Sequence, residues 1–287
     1  MVTAREYAAR LREVLEQAGL EDAAFEAVQL LEIAGVCARR TPEAELSPAQ
    51  CEQLDSLLEQ RLRRIPLQYL AGEWDFWDFT VFVGEGVLIP RPDTELCAML
   101  AAEQAAKAGK GAQVLDLCSG SGVIALGVAL HCAQVNVTAV ELSDAALRYL
   151  QRINERHGAP CRVVQANVLT WHQHQSAETW DVIASNPPYV TEEEYQALAP
   201  ELFYEPKMAL TAPENGLAFY RCIIPAYHRL LKPGGWMVLE IGETQGEEVA
   251  ALYRAAGYTD IQLHRDLAGL PRVVMARKSE NDAAKTV

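Results

Sequence analysis

Five consecutive residues, Ser185-Asn186-Pro187-Pro188-Tyr189, combine groups suited to holding a planar NH2 group. The two prolines contribute carbonyls but no N–H, fix φ and push Asn186 towards an extended conformation. The polar groups left at close range are acceptors, the Asn186 side-chain oxygen and the Pro187 carbonyl, and Tyr189 adds a flat ring. Two acceptors match the two N–H bonds of an amide or an exocyclic amine. The preceding run, Trp180-Asp181-Val182-Ile183-Ala184, reads as a buried strand of a parallel sheet that the prolines terminate. The loop is therefore expected at a strand's carboxyl end, where open α/β sheets bind their ligands. A Pro-terminated turn with a capping Asn would explain Asn-Pro alone; the four-residue run after a buried strand is more specific.

A second candidate lies upstream. Cys118-Ser119-Gly120-Ser121-Gly122 joins the apolar run Val114-Leu115-Asp116-Leu117 to a helix starting at Val123. Glycines there let a ligand approach the backbone, and the helix N-terminus helps position it. Glu141 follows Gly120 by 21 residues, at the end of the next strand, where a carboxylate can accept hydrogen bonds from ribose hydroxyls. The turn alone also matches the Gly-x-Gly-x-x-Ala of nicotinamide enzymes, so a nicotinamide dinucleotide is an alternative ligand. Asp116 inside the strand and the acceptor loop on the same crevice favour S-adenosylmethionine, whose adenosine suits this pocket and whose sulfonium methyl would point at the loop.

Other chemistries find less support. The seven cysteines occur singly, without a Cys-x-x-Cys pair, which argues against a zinc site and a disulfide framework and fits reduced thiols in a cytosol. His172-x-His174 lies in a polar run and reads as a solvated loop rather than a metal site, so no metal is expected. The net charge is −14, divided evenly at −7 each between residues 1–83 and 84–287. Such a chain is poorly suited to tracking a nucleic-acid backbone, and no direct nucleic-acid binding is expected. No apolar run is long enough to span a bilayer, and no signal peptide is visible; the expected location is cytoplasmic.

The elements that position these residues follow in order. Residues 3–64 read as helices: Thr3-x-x-Glu6 and Ser47-Pro48-Ala49-Gln50 are capping boxes, and a helix between them runs from about Asp22 to Val36. Expected apolar faces are Tyr7, Leu11, Val14 and Leu15; Phe25, Val28, Leu31 and Ile33; and Leu54, Leu57, Leu58 and Leu62. Trp74 to Phe82 suggests a β-hairpin linking two domains, and Pro92 can open a helix to about Ala108. Beyond Gln113, strands alternate with helices. The strands are expected at Val114 to Leu117, Val135 to Val140, Cys161 to Gln165, Asp181 to Ala184, Trp236 to Ile241 after a Lys232-Pro233-Gly234-Gly235 turn, 259–264 and 273–277. Thr191-x-x-Glu194 caps a helix, another spans 246–256, and the polar tail from Ser279 is expected to fray.

With these residues in view the chain resembles the release-factor glutamine N5-methyltransferases, the HemK/PrmC family. The resemblance covers nearly the whole chain: Pro66 to Gly72, Ile89-Pro90-Arg91-Pro92-Asp93-Thr94-Glu95, Leu115 to Gly122, Ser185 to Tyr189, Glu205-Pro206 with Ala209-Leu210, and Glu240-Ile241-Gly242 with Gln245. It implies an α/β, Rossmann-like methyltransferase domain at 91–287, a helical substrate-recognition domain at 1–72 and a hairpin linker at 73–90. It implies methylation of the glutamine amide nitrogen in the Gly-Gly-Gln motif of class 1 peptide chain release factors, a protein partner, with S-adenosylmethionine as cofactor. Cys118, Ser119, Gly120, Ser121 and Gly122 would wrap the methionine part, Glu141 would hold the ribose, and Asn167 would meet the adenine. Asn186 would touch both cofactor and substrate; Asn186 and Pro187 would be catalytic, and Pro188 and Tyr189 would complete the substrate site. Three positions depart from the family's usual residues: Ala166-Asn167 stands for Gly or Ser then Asp, Phe203 for an Arg before Phe-Glu-Pro, and Cys118 for a Gly. An adenine amino-group methyltransferase and a non-catalytic binding module are the rival readings.

Overall fold

The structure is a computed structural model and describes residues 2–280; the tail expected to fray lies, beyond Glu280, outside the described residues. The chain divides into two compact units. Among the described residues, unit 1 comprises those up to Glu73 together with Ala199–Tyr204, and unit 2 comprises Trp74–Leu198 and the residues from Glu205 onward.

Unit 1 holds α1 (Ala4–Gln17), α2 (Ala23–Ile33), α3 (Pro48–Leu62) and the single turn α4 (Leu67–Ala71). Both expected capping boxes form, at Thr3/Glu6 and Ser47/Gln50, so each helix starts where its side chains satisfy the first N–H groups. The face of α2 differs from the expected one. Phe25 is exposed, whereas Ala23, Glu26, Ala27, Leu30 and Leu31 are buried. The reason is an ion pair: Glu26 accepts two hydrogen bonds from Arg61 of α3, at 2.7 and 2.9 Å, and Arg61 also donates to Glu201 at 2.9 Å. Apolar periodicity reads a carboxylate as outward-facing, and here the carboxylate faces in. Likewise Leu62 and Val14 lie outside the buried set that Tyr7, Leu11, Leu15, Leu54, Leu57 and Leu58 form.

Unit 2 opens with the hairpin β1 (Glu73–Phe76) and β2 (Phe79–Phe82). From Trp74 onward this hairpin belongs to unit 2. Phe76, Phe79 and Phe82 are buried, and Trp77 stacks on His131 with ring centroids 3.6 Å apart. There follow α5 (Thr94–Ala108), β3 (Gln113–Leu117), α6 (Val123–His131), β4 (Asn136–Glu141), α7 (Asp144–Arg156), β5 (Cys161–Gln165), α8 (Val168–Trp171) and β6 (Trp180–Ser185). The chain continues through α9 (Glu192–Gln196), α10 (Lys207–Leu210), α11 (Ala218–His228), β7 (Leu231–Glu240), α12 (Gly246–Ala255), β8 (Tyr258–Arg265) and β9 (Pro271–Lys278). The sheet order is β5-β4-β3-β6-β7-β9-β8, parallel from β5 to β7 and antiparallel at β9 and β8. Having built outward through β4 and β5, the chain returns to place β6 beside β3, so the order reverses between those two strands. Ligands of such sheets sit at this reversal.

Helices α5 and α6 pack on one face of the sheet. On the other, Leu115, Leu117, Ile183, Met237 and Leu239 meet Tyr220 and Tyr227 of α11 and Tyr253 of α12. Helix α11, which carries Pro225 inside it, has no counterpart in the sequence expectation. Its buried tyrosines keep their hydroxyls satisfied: Tyr220 donates to the Glu240 carbonyl at 2.8 Å and Tyr227 to the Val168 carbonyl at 2.7 Å. Lys232-Pro233-Gly234-Gly235 proves to be a bulge within β7 rather than a turn before it. Trp180 pairs with Leu231 and Val182 with Trp236, so the four residues bow out opposite Asp181. Gly234, at φ +79°, permits the detour.

The Glu26–Arg61–Glu201 cluster gives the fold's most direct test. Removing one partner leaves buried charge without compensation, which costs about 3–5 kcal/mol. Arg61→Met is expected to move the urea unfolding midpoint of unit 1 down accordingly, and an unchanged midpoint would show the cluster to be dispensable.

Candidate active site

The crevice lies at the carboxyl ends of β3, β4 and β6. Its floor is held by Ser185, fully buried, which donates from Oγ to the Leu117 carbonyl at 2.6 Å and so clamps β6 to β3. Immediately beyond these two residues the two candidate motifs leave the sheet side by side.

The Gly-rich turn is shaped from within. Ser119 Oγ donates to the Asp116 carbonyl at 3.0 Å, and Gly122 N donates to the Ser119 carbonyl at 2.7 Å. Gly122 caps α6 at φ +88°, and a Cβ there would stand 2.2 Å from Leu150 Cδ1, so a side chain would be strained and Leu150 would have to shift. Cys118 also has positive φ, +57°, a conformation that favours the glycine the resemblance leads one to expect there. Its thiol is pushed well up in pKa, first by burial and then by Glu141 and Asp116, and it is an inert wall rather than a nucleophile. Asp116 accepts from Ala125 N at 3.2 Å through Oδ2, while Oδ1 is buried without a partner. Burial pushes the Asp116 pKa up to about 7.

Glu141 ends β4 and reaches back to the turn. Its Oε2 accepts from Gly120 N at 2.8 Å, and its Oε1 accepts from Leu142 N at 2.8 Å and Ser143 N at 2.7 Å. A carboxylate has roughly four acceptor positions, so about one is left for a ligand hydroxyl unless a backbone bond yields. Asn167 caps α8: its Oδ1 accepts from Leu169 N at 2.9 Å, leaving the amide nitrogen as the group for a ligand.

Two adjoining hollows share Leu88, Cys118, Gly120 and Asn186. The first is also lined by Glu141, Leu142, Asn167, Val168 and Pro188, the second by Ser119, Ser121 and Thr94. Three of the expected site residues line neither. Gly122 acts through the shape of the turn, Pro187 is buried, and Tyr189 turns its hydroxyl towards Glu240 Oε1 at 3.4 Å.

The acceptor loop is pinned from behind. Tyr189 N and Val190 N donate to the Leu210 carbonyl at 3.1 and 2.9 Å, and Gln245 Nε2 donates to the Tyr189 carbonyl at 3.1 Å. Gly216, at φ +78°, makes room for that carbonyl, since a Cβ there would lie 2.1 Å from it. Asn186 Nδ2 donates to Thr94 Oγ1 at 3.1 Å. Asn186 Oδ1 and the Pro187 carbonyl accept no hydrogen bond among the described residues. The sequence argument missed Thr94 and Glu205, both inside the motifs that carried the resemblance. Glu205 is buried, accepts from Ile89 N at 2.8 Å and pairs with Arg91, which fixes the 86–91 segment along the hollows.

Known proteins resemble this chain over most of its length. The PrmC N-terminal domain family matches residues 6–72, and the Methyltransferase small domain family matches residues 95–217. The Release factor glutamine methyltransferase of Geobacter sulfurreducens is 37% identical over 81% of this chain and 80% of its own length. That of Caulobacter vibrioides is 33% identical over 92% of this chain and 93% of its own. Among solved structures, the hMettl16 catalytic domain in complex with the MAT2A 3'UTR hairpin 6 superposes with a TM-score of 0.54 at 13% identity, covering 69% of this chain and 74% of that one, a likeness of fold alone. The chain belongs to the release factor glutamine methyltransferase family.

Proposed function

We propose that this enzyme methylates the side-chain amide nitrogen of the glutamine in the Gly-Gly-Gln motif of class 1 release factors, with S-adenosylmethionine as methyl donor. The observation that carries the reading is the pair of unclaimed acceptors, Asn186 Oδ1 and the Pro187 carbonyl, on a loop fastened at Ser185 and at Tyr189. The residues of the two hollows fit the cofactor. A Cβ on Gly120 would meet nothing within 4 Å, so the turn leaves open space, and Glu141 keeps an acceptor for a ribose hydroxyl. Leu142 and Val168 offer apolar walls for adenine, with the Asn167 amide nitrogen at its edge.

When bound, S-adenosylmethionine supplies an electrophilic methyl group on a positively charged sulfur. The protein's task is the nucleophile. An amide nitrogen is weak because its lone pair is delocalised into the carbonyl, and no ordinary side chain deprotonates it in the ground state. Asn186 Oδ1 and the Pro187 carbonyl each take one N–H, which turns the nitrogen's remaining face towards the methyl. Orientation of this kind contributes up to about 7–11 kcal/mol. The same acceptors stabilise the positive charge that develops on nitrogen, so the proton is lost after the methyl arrives and no general base is assigned. Unit 1 is assigned the recognition of the intact protein substrate, supported by its match to the PrmC N-terminal domain family. No described helix is long and apolar enough to cross a membrane, and the chain's net charge of −14 favours a protein over a nucleic-acid substrate.

Incubation with S-adenosylmethionine and a purified class 1 release factor, followed by mapping of the methyl by mass spectrometry, is expected to place it on the motif glutamine. An unmodified release factor together with methylated adenine in DNA or RNA would replace this reading with the adenine one. Glu141→Ala is expected to weaken cofactor binding by about 1–3 kcal/mol, as for hydrogen bonds to a charged group, and calorimetry on the folded variant checks it. Asn186→Ala is expected to lower kcat strongly while cofactor affinity falls much less; a wild-type single-turnover rate would remove Asn186 from the mechanism.

A further inference from the structure

We propose that Arg91 holds the α-carboxylate of the cofactor's methionine part, an assignment that rests on the cofactor reading above. The methionine part of S-adenosylmethionine ends in a carboxylate as well as an ammonium group, and no residue assigned so far gives that carboxylate a charged partner. The hollow for it is the one walled by Cys118, Ser119, Gly120 and Ser121. Charge there is unfavourable to an anion: Glu141 lines the adjoining hollow, and the chain carries a net −14. A carboxylate drawn out of water in such a place needs a cation. Among the described residues, Arg91 is the one cationic side chain that lines either hollow.

Arg91 is also held ready. It stands between Pro90 and Pro92, whose rings fix φ on either side of it. Glu205, 4% exposed, accepts from Ile89 N at 2.8 Å and pairs with Arg91 through Nη2, so one carboxylate fastens both backbone and side chain of this segment. A guanidinium is a planar fork of N–H donors. Here only Nη2 has a protein partner; Nε and Nη1 donate to nothing among the described residues, and the side chain is 34% exposed. The pair with Glu205 therefore leaves donors open beside the hollow, in the fork that a carboxylate meets with two parallel hydrogen bonds. Two of the turn's own donors are spent elsewhere, Gly120 N on Glu141 and Gly122 N on the Ser119 carbonyl. Because Glu205 has already ordered the arginine, little binding energy goes into fixing it.

Calorimetry on the full chain with two ligands tests the assignment: S-adenosylmethionine, and its decarboxylated form, which keeps the adenosine, the sulfonium and the amine and lacks only the carboxylate. In Arg91→Met, affinity for S-adenosylmethionine is expected to fall about 10- to 100-fold, the range of hydrogen bonds to charged groups, while affinity for the decarboxylated form stays at its wild-type value. Arg91→Met also leaves the buried Glu205 without its cation, so Arg91→Lys is the second variant; it keeps a charge beside Glu205 and gives up the fork. Its loss is expected to be smaller and again confined to the ligand that has the carboxylate. A loss shared equally by both ligands in both variants would overturn the assignment, since Arg91 would then only fasten the 86–91 segment to Glu205. Unchanged affinity for both ligands would overturn it too and give the carboxylate to the backbone N–H groups of the turn. A wild type that binds neither ligand would remove the cofactor reading and this assignment with it, whereas the selectivity of the two variants bears on Arg91 alone.

Discussion

A site that captures N–H donors must keep acceptors that nothing else in the protein has claimed. Folding works against this, because buried carbonyls and amides are almost always paired. The loop after β6 meets the demand by leaving out donors. Pro187 and Pro188 have no N–H to offer a neighbouring oxygen, and Asn186 spends one side-chain N–H backwards on Thr94. The loop is fastened on either side: Ser185 to Leu117, Tyr189 and Val190 to Leu210, and the Tyr189 carbonyl to Gln245. The outcome is a loop held on both sides in which Asn186 Oδ1 and the Pro187 carbonyl stay idle among the described residues.

The cofactor side follows an opposite logic. There the chain concentrates N–H groups and then answers them with one carboxylate. Glu141 takes the N–H of Gly120 from the turn and those of Leu142 and Ser143 from its own strand end. One residue thereby joins the turn after β3 to the end of β4, and a ribose bound there would join the same network. The reversal of strand order between β3 and β6 brings this donor-rich turn beside the acceptor-rich loop. The two halves of the chemistry differ in hydrogen-bonding polarity and meet at Asn186, which borders both hollows.

Much of this was legible in the sequence where a local rule governs. The capping boxes at Thr3 and Ser47, the strand Cys161–Gln165, the Gly-rich turn and the acceptor loop all obey short-range chemistry, and the structure places them as expected. What escaped depends on partners far along the chain. The inward turn of Glu26 requires Arg61, 35 residues later, and periodicity alone reads the opposite face of α2. Helix α11 tolerates Pro225 because its tyrosines are anchored to Glu240 and Val168 across the core. Thr94 stood in plain view within Pro-Arg-Pro-Asp-Thr-Glu, but its meaning appears only when α5 brings it to Asn186, 92 residues away.

The central claim concerns geometry, and geometry can be measured directly. A crystal structure of the enzyme with S-adenosylhomocysteine and a glutamine-containing peptide from the release-factor loop would show the amide in place. The account predicts the glutamine nitrogen within about 2.7–3.2 Å of both Asn186 Oδ1 and the Pro187 carbonyl, with its free face towards the sulfur. A glutamine bound the other way, its oxygen accepting from Asn186 Nδ2, would contradict it.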